Sequence, residues 1–271
     1  MPVEATSVID STPSPTPRRP GIWGGLGVVV LYPVLQLIVA VALGLFAAIG
    51  YGIALGLQGS RTTTAAVRHA FQSPDVKTGF TVATIAVVAV LMLWIIRRQW
   101  RGQWTVASPP GFGFVRPQES VWFLYAVLTG VAVALLGGVL TQWLAHGHEV
   151  QQDVTVMGRH VSLGMRVALA ALVVCVAPLV EELIFRGVLL SGLMRYMKAG
   201  WAVTLSALIF GCVHLPDFKF VWYAIPALIL LGAVLAWLRL HSRSLWPAVA
   251  AHAFNNLMAT IGWFVAAHPH A

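Results

Sequence analysis

Residues 177–190 read APLVEELIFRGVLL, an apolar run holding two adjacent glutamates and an arginine, in a chain with nine acidic residues. Few strong polar side chains lie inside apolar stretches elsewhere: His214, His252, Asn255 and Asn256, the last two being the only asparagines present. A charged group in hydrocarbon costs about 2.5–3.5 kcal/mol on insertion scales, so such residues read first as functional. Glu182 and Arg186 are four residues apart, share one helix face and can neutralise each other. Glu181 is turned by about 100° from Glu182 and needs a partner from another helix or from water. Phe210 and His214 repeat the four-residue spacing, as do His252 and Asn256. A glutamate and a histidine can hold and deprotonate one water. A second histidine and an asparagine can donate to an oxyanion. These are the parts needed to hydrolyse an amide. No GxSxG and no HExxH occurs, so a serine elbow and a zincin are excluded.

The elements that must position these groups follow from composition. Of 271 residues, 58% are hydrophobic and 10% charged, against about 25% charged in soluble domains. Mean hydropathy is +0.81. Seven apolar segments stand out, at 22–57, 79–96, 120–145, 164–195, 200–216, 219–240 and 245–266. Those of about 20 residues can cross a bilayer as helices, and lipid leaves unpaired backbone groups no partner. The predicted fold is all-α: a polytopic membrane bundle of about seven helices, or eight if 22–57 turns back at Gly50–Gly52. Pro33 and Pro178 mark expected kinks. Scattered glycines such as Gly137 and Gly138 suit close helix packing. Cys175 and Cys212 form no CxxC and read as small buried hydrophobes.

Residues 1–21, rich in Ser, Thr and Pro, read as a disordered tail. Residues 22–163 form an N-terminal transmembrane part and 164–266 the part carrying the chemistry. With the N-terminus inside, Arg18, Arg19, Arg97, Arg98, Arg101, Arg116, Arg195, Lys198, Arg239 and Arg243 fall on that side. Arg61, Arg68, Lys77, Arg159, Arg166 and Lys219 fall on the other. This asymmetry places the N-terminus in the cytoplasm. The net charge of +8 thus reflects orientation, and no nucleic-acid partner is expected. The excess of arginine over lysine points to a GC-rich genome and a bacterial plasma membrane. Trp94, Trp100, Trp122, Trp143, Trp201 and Trp246 lie near segment ends, as interface anchors do.

EExxxR (Glu181, Glu182, Arg186), FxxxH (Phe210, His214) and HxxxN (His252, Asn256) come in that order on three apolar segments. Together they resemble the motifs of the CAAX-protease and bacteriocin-processing (CPBP or ABI) family, the type II CAAX prenyl endopeptidases, which are intramembrane proteases. The resemblance covers roughly residues 164–266. It implies Glu181 as the base that activates water, His214 as its partner, and His252 with Asn256 as oxyanion stabilisers. Glu182, Arg186 and Phe210 become supporting residues. It implies a mechanism without a cofactor; the alternative is zinc held by Glu181, His214 and His252, three ligands with one position open to water. The partner is then a membrane-embedded or lipid-associated peptide or protein, met within the bilayer. Hydrolysis needs water at Glu181, so a polar cavity is expected between the fourth, fifth and seventh segments, opening towards the N-terminal side. A noncatalytic scaffold of the bacteriocin-immunity kind is the alternative function. A transporter would be expected to show internal repeats, and none is visible.

Overall fold

The computed structural model describes residues 18–57, 68–69 and 71–265. Most of the expected tail, residues 1–17, and Arg61 lie outside them. The described chain is a bundle of eight helices, with no strand among the described residues. They are α1 (Ile22–Leu57), α2 (Pro74–Gln99), α3 (Val121–Ala145), short α4 (Asp153–Arg159), α5 (Leu163–Leu193), α6 (Ala199–Val213), α7 (Ile225–Ser242) and α8 (Trp246–Val265). Five spans, α1, α2, α3, α5 and Trp222–Ser242, are long and apolar enough to cross a membrane; α6 is apolar but has only 15 residues. Residues 22–57 form one helix with Pro33 inside it, the first of the two readings, and not two spans joined at Gly50–Gly52. Its 36 residues reach about 54 Å, well beyond a hydrocarbon core of about 30 Å. Exposed Leu, Val, Ile and Phe side chains cover the outer faces of α1 and α3, as lipid contact requires.

The helices alternate between two ends of the bundle. The proximal end gathers Arg18–Gly21, residues 100–120, residues 194–198 and residues 243–245. There Arg195 donates to the Pro20 carbonyl, Gln103 to the Arg18 carbonyl and Ser244 to the Val115 carbonyl. The distal end gathers residues 146–162 and 214–224, where the Ser162 amide bonds to Asp75 and His148 stacks on Tyr223. Small residues set the crossings. A Cβ on Gly130 of α3 would stand 2.3 Å from the Ala251 carbonyl oxygen of α8, and one on Gly232 of α7 3.0 Å from Cα of Ala207 on α6. Gly137 also lies at a crossing, 3.1 Å from Ala227, whereas Gly138 meets nothing within 4 Å.

The proximal end is closed by residues 101–116. This loop folds on itself through Phe112–Gln103, Gly113–Val106 and Phe114–Trp104 backbone bonds. Phe112 is fully buried, beside Gly187 of α5. Arg239, expected in a loop, is instead buried inside α7, donating to the carbonyls of Ala107 and Gly111 at 2.8 and 2.7 Å. The loop presents bare carbonyls into a low-dielectric interior, and one guanidinium satisfies two of them. Trp100, expected at the interface, is buried against Phe112 and Gly24. Trp94, Trp143, Trp201 and Trp246 are exposed.

Candidate active site

The glutamate pair lies on a regular α turn, Ala177–Glu182, between two π-helical segments, Leu172–Val176 and Leu183–Leu189. π turns inside α-helices recur at functional sites, and here part of the cause is local. Pro178 has no amide hydrogen, and the Ala177 amide bonds back to Leu172. The Val173 carbonyl is thereby left without its usual helical donor. Asn256 Nδ2 from α8 supplies that bond at 3.0 Å. The expected kink at Pro178 is thus a change of helical register that docks a residue from another helix.

Glu182 is fully buried, and its Oε1 accepts from Arg186 Nη1 and from His252 Nδ1, both at 2.9 Å. Arg186, also fully buried, donates through Nη2 to the Gly232 carbonyl at 3.0 Å. Its guanidinium lies 4.4 Å from the Phe210 ring centre, within cation–π range. The fully buried Phe210 ring also meets His214 and His252 edge-on or tilted. The Glu182–Arg186 pairing matches the four-residue spacing. The bond from His252 to Glu182 is a contact that spacing within one segment could not reveal.

Glu181 has no such partner. Its Oε2 lies 3.8 Å from His214 Nε2 and 3.8 Å from His252 Nε2. These separations are too long for direct hydrogen bonds and suit a bridging water. His214 Nδ1 faces the Phe210 carbonyl at 2.7 Å, and His252 Nδ1 faces a carboxylate. A carbonyl or carboxylate can only accept, so in each ring the Nδ1–H donates, and Nε2 is the nitrogen turned towards Glu181. Asn256 Oδ1 accepts from Asn255 Nδ2 at 3.3 Å. With one Nδ2 hydrogen on Val173, the other has no protein partner among the described residues. Glu181, Glu182, Arg186, Phe210, His214 and His252 are brought into contact, and Asn256, one turn along α8 from His252, docks on the Val173 carbonyl of α5.

Beneath the pair, towards the proximal end, lie buried Arg186, Gly187 and the Phe112 plug. Glu181 and His214 keep 15% and 16% of their side-chain surface exposed, and His214 caps the distal end of α6. A cavity of about 580 Å³ lies elsewhere, between α3, α7 and α8, and reaches Asn255 but not Glu181. Asp217, the second residue of the proline-started turn Pro216–Phe218, lies three residues past His214. Although the residue is exposed, protein atoms crowding its carboxyl, with the charges of Glu181 and Asp153, push its pKa above the ordinary range; His214 offsets part of this. Among the described residues, no group of three or more His, Cys, Asp or Glu is arranged to hold a metal ion. Cys175 and Cys212 are free and exposed, not buried as expected.

Residues 163–258 match the family model described as type II CAAX prenyl endopeptidase Rce1-like. The matched stretch runs from the start of α5 into α8 and contains every motif residue from Glu181 to Asn256; α1, α2 and α3 lie outside it. No curated protein and no solved structure matches the chain. The Rce1-like family is one of CAAX-type intramembrane proteases, and the five long apolar helices fit an integral membrane protein of that kind.

Proposed function

We propose that the chain is an intramembrane endopeptidase that cleaves a membrane-associated peptide or protein with a water activated by Glu181. The observation that carries this reading is the convergence of Glu181 Oε2 with two histidine Nε2 atoms, each ring held by a bond at its opposite nitrogen. A water between them donates to the carboxylate or to an imidazole and presents its oxygen lone pair to a substrate carbonyl. As the C–O bond forms, the water proton passes to Glu181 and the carbonyl oxygen becomes an oxyanion. The free Nδ2 hydrogen of Asn256 donates to it, while His252 keeps its Nδ1–H on Glu182 and its Nε2 beside the reacting water. Collapse breaks the C–N bond, and the proton on Glu181 moves to the leaving amine. Water is the only co-reactant. The charged Glu182–Arg186 pair holds His252 and the α5–α7 contact in place.

No step here runs through a metal. The bonds at both Nδ1 atoms are also those that metal-binding histidines make. Millimolar chelator is therefore expected to leave cleavage unchanged, and zinc-reversible loss would reassign Glu181, His214 and His252 as ligands. The proximal arginines at 18, 19, 97, 98, 101, 116, 195 and 243 support a reading with the N-terminus in the cytoplasm. The deciding experiment compares peptide N-termini in membranes of cells expressing wild type and Glu181→Gln at equal abundance. Termini found only with wild type are expected. Identical sets of termini would instead favour a noncatalytic scaffold.

A further inference from the structure

α1 lies outside the matched family segment, yet it packs antiparallel against Leu183–Leu193 of α5, the stretch that carries Arg186 and begins just after the glutamate pair. Two close approaches fix the register: a Cβ on Gly192 would stand 2.7 Å from the Gly21 carbonyl oxygen, and one on Gly25 3.0 Å from Cα of Leu189. Counting eleven residues on from Gly21 and eleven back from Gly192 sets Tyr32 opposite Glu181. Seven residues on from Gly25 and seven back from Leu189 set it opposite Glu182. Consistently, Glu181 and Asp217 are the carboxylates within electrostatic reach of the Tyr32 phenol, and the Gln36 side chain lies beside its hydroxyl. The ring itself is half-buried against the core.

The bland alternative, an interface tyrosine, fails on depth. Tyr32 is ten residues into α1, about 15 Å from its start, near the middle of a core about 30 Å thick. A phenol there needs a hydrogen-bond partner. Between Trp23 and Tyr51, Tyr32 and Gln36 are the only side chains of α1 that can make one. They are four residues apart, on one face.

We infer that Tyr32, oriented by Gln36, is a substrate-positioning residue of this site: its hydroxyl faces the open edge of Glu181 and holds the backbone of an extended peptide across from the two histidines. The site is then built from α1, α5, α6 and α8, and the matched segment alone does not complete it. The inference rests on the peptidase reading. Its first test is independent of catalysis. In a Cys175→Ala, Cys212→Ala background, Tyr32→Cys and Asp217→Cys are expected to be joined by a short bifunctional maleimide. Failure to join, with each cysteine labelled singly, overturns the placement. The second test counts Glu181-dependent termini in membranes holding Tyr32→Phe, which keeps the ring and loses the hydroxyl. A loss of about tenfold is expected at limiting substrate, the size of one net hydrogen bond. Overexpressing the cleaved protein restores the yield, because a lost positioning bond raises KM and spares kcat. Wild-type yields from Tyr32→Phe, with Glu181→Gln inactive, overturn the role of Tyr32 and leave the peptidase reading standing. No effect of either variant overturns both.

Discussion

Arg186→Met isolates the ion pair beneath the site. The arginine is fully buried, with its Nη1 on Glu182 at 2.9 Å, its Nη2 on Gly232 at 3.0 Å and its face on Phe210. Methionine fills similar space and removes the charge. Glu182 is then a buried carboxylate whose Oε2 already lacks a partner. Breaking a buried pair from one side costs about 3–5 kcal/mol, and the orphaned Gly232 carbonyl adds about 1–3 kcal/mol. His252, sharing Glu182 Oε1 with the lost arginine, can take up a proton and recover part of this. The net expectation is a loss of about 3–5 kcal/mol. Adding Glu182→Gln removes the stranded charge while its amide oxygen still accepts from His252. The double variant is therefore more stable than Arg186→Met alone. Thermal unfolding in detergent, followed by tryptophan fluorescence, measures both. An Arg186→Met protein as stable as wild type, or a double variant weaker than the single one, would refute the account of Glu182 as a carboxylate held by its own helix.

Three further outcomes are expected. Gly113→Ala loosens the proximal plug, because Gly113 has φ +72° and a Cβ there would lie 2.6 Å from Arg239 Cζ; the left-handed backbone alone costs about 1–2 kcal/mol, read as faster proteolysis within residues 101–116. Asn256→Ala strands the Val173 carbonyl and removes an oxyanion donor, so stability falls by about 1–3 kcal/mol while cleavage falls about 10²–10³-fold; equal small losses in both would deny it the oxyanion role. Asp217→Asn raises thermal stability at neutral pH, since a raised carboxyl pKa means that the folded protein disfavours the charged form. That gain shrinks as pH falls and is absent below the ordinary aspartate value of 3.8, which a pH series of melting curves would show.

Much of the site was legible because it rests on spacing along helices. The Glu182–Arg186 pair follows from a four-residue step, and the loneliness of Glu181 from its rotation about the same axis. The cost of polar groups in lipid marked both histidines and Asn256 before any coordinate was known. What could not be read depends on contacts between distant segments. Arg239 looks like a loop base at a helix end, because nothing local says that residues 101–116 turn inward and bring it carbonyls. Tyr32 is unmarked by any motif, and only the α1–α5 register sets it opposite the glutamates.

Pro178 shows how a local rule and a distant contact become one device. A proline within a membrane helix normally leaves a carbonyl unsatisfied in a medium without water. Here the Ala177 amide shifts to Leu172, the Val173 carbonyl is freed, and Asn256 arrives from α8 to meet it. The same helix α8 brings His252 to Glu182, only four residues later along α5 than Pro178. Two bonds from α8, one to a backbone carbonyl and one to a carboxylate, fix both its rotation and its height against α5. A helix pinned at two points one turn apart cannot rotate without breaking one of them. Replacing Pro178 by alanine would return an amide donor to the freed stretch and compete with Asn256 for it. The substitution is therefore expected to stabilise α5 as an isolated helix and yet lower cleavage, by releasing one of the two pins. Unchanged cleavage with a normally folded Pro178→Ala protein would show that His252 and Glu182 hold α8 in register by themselves.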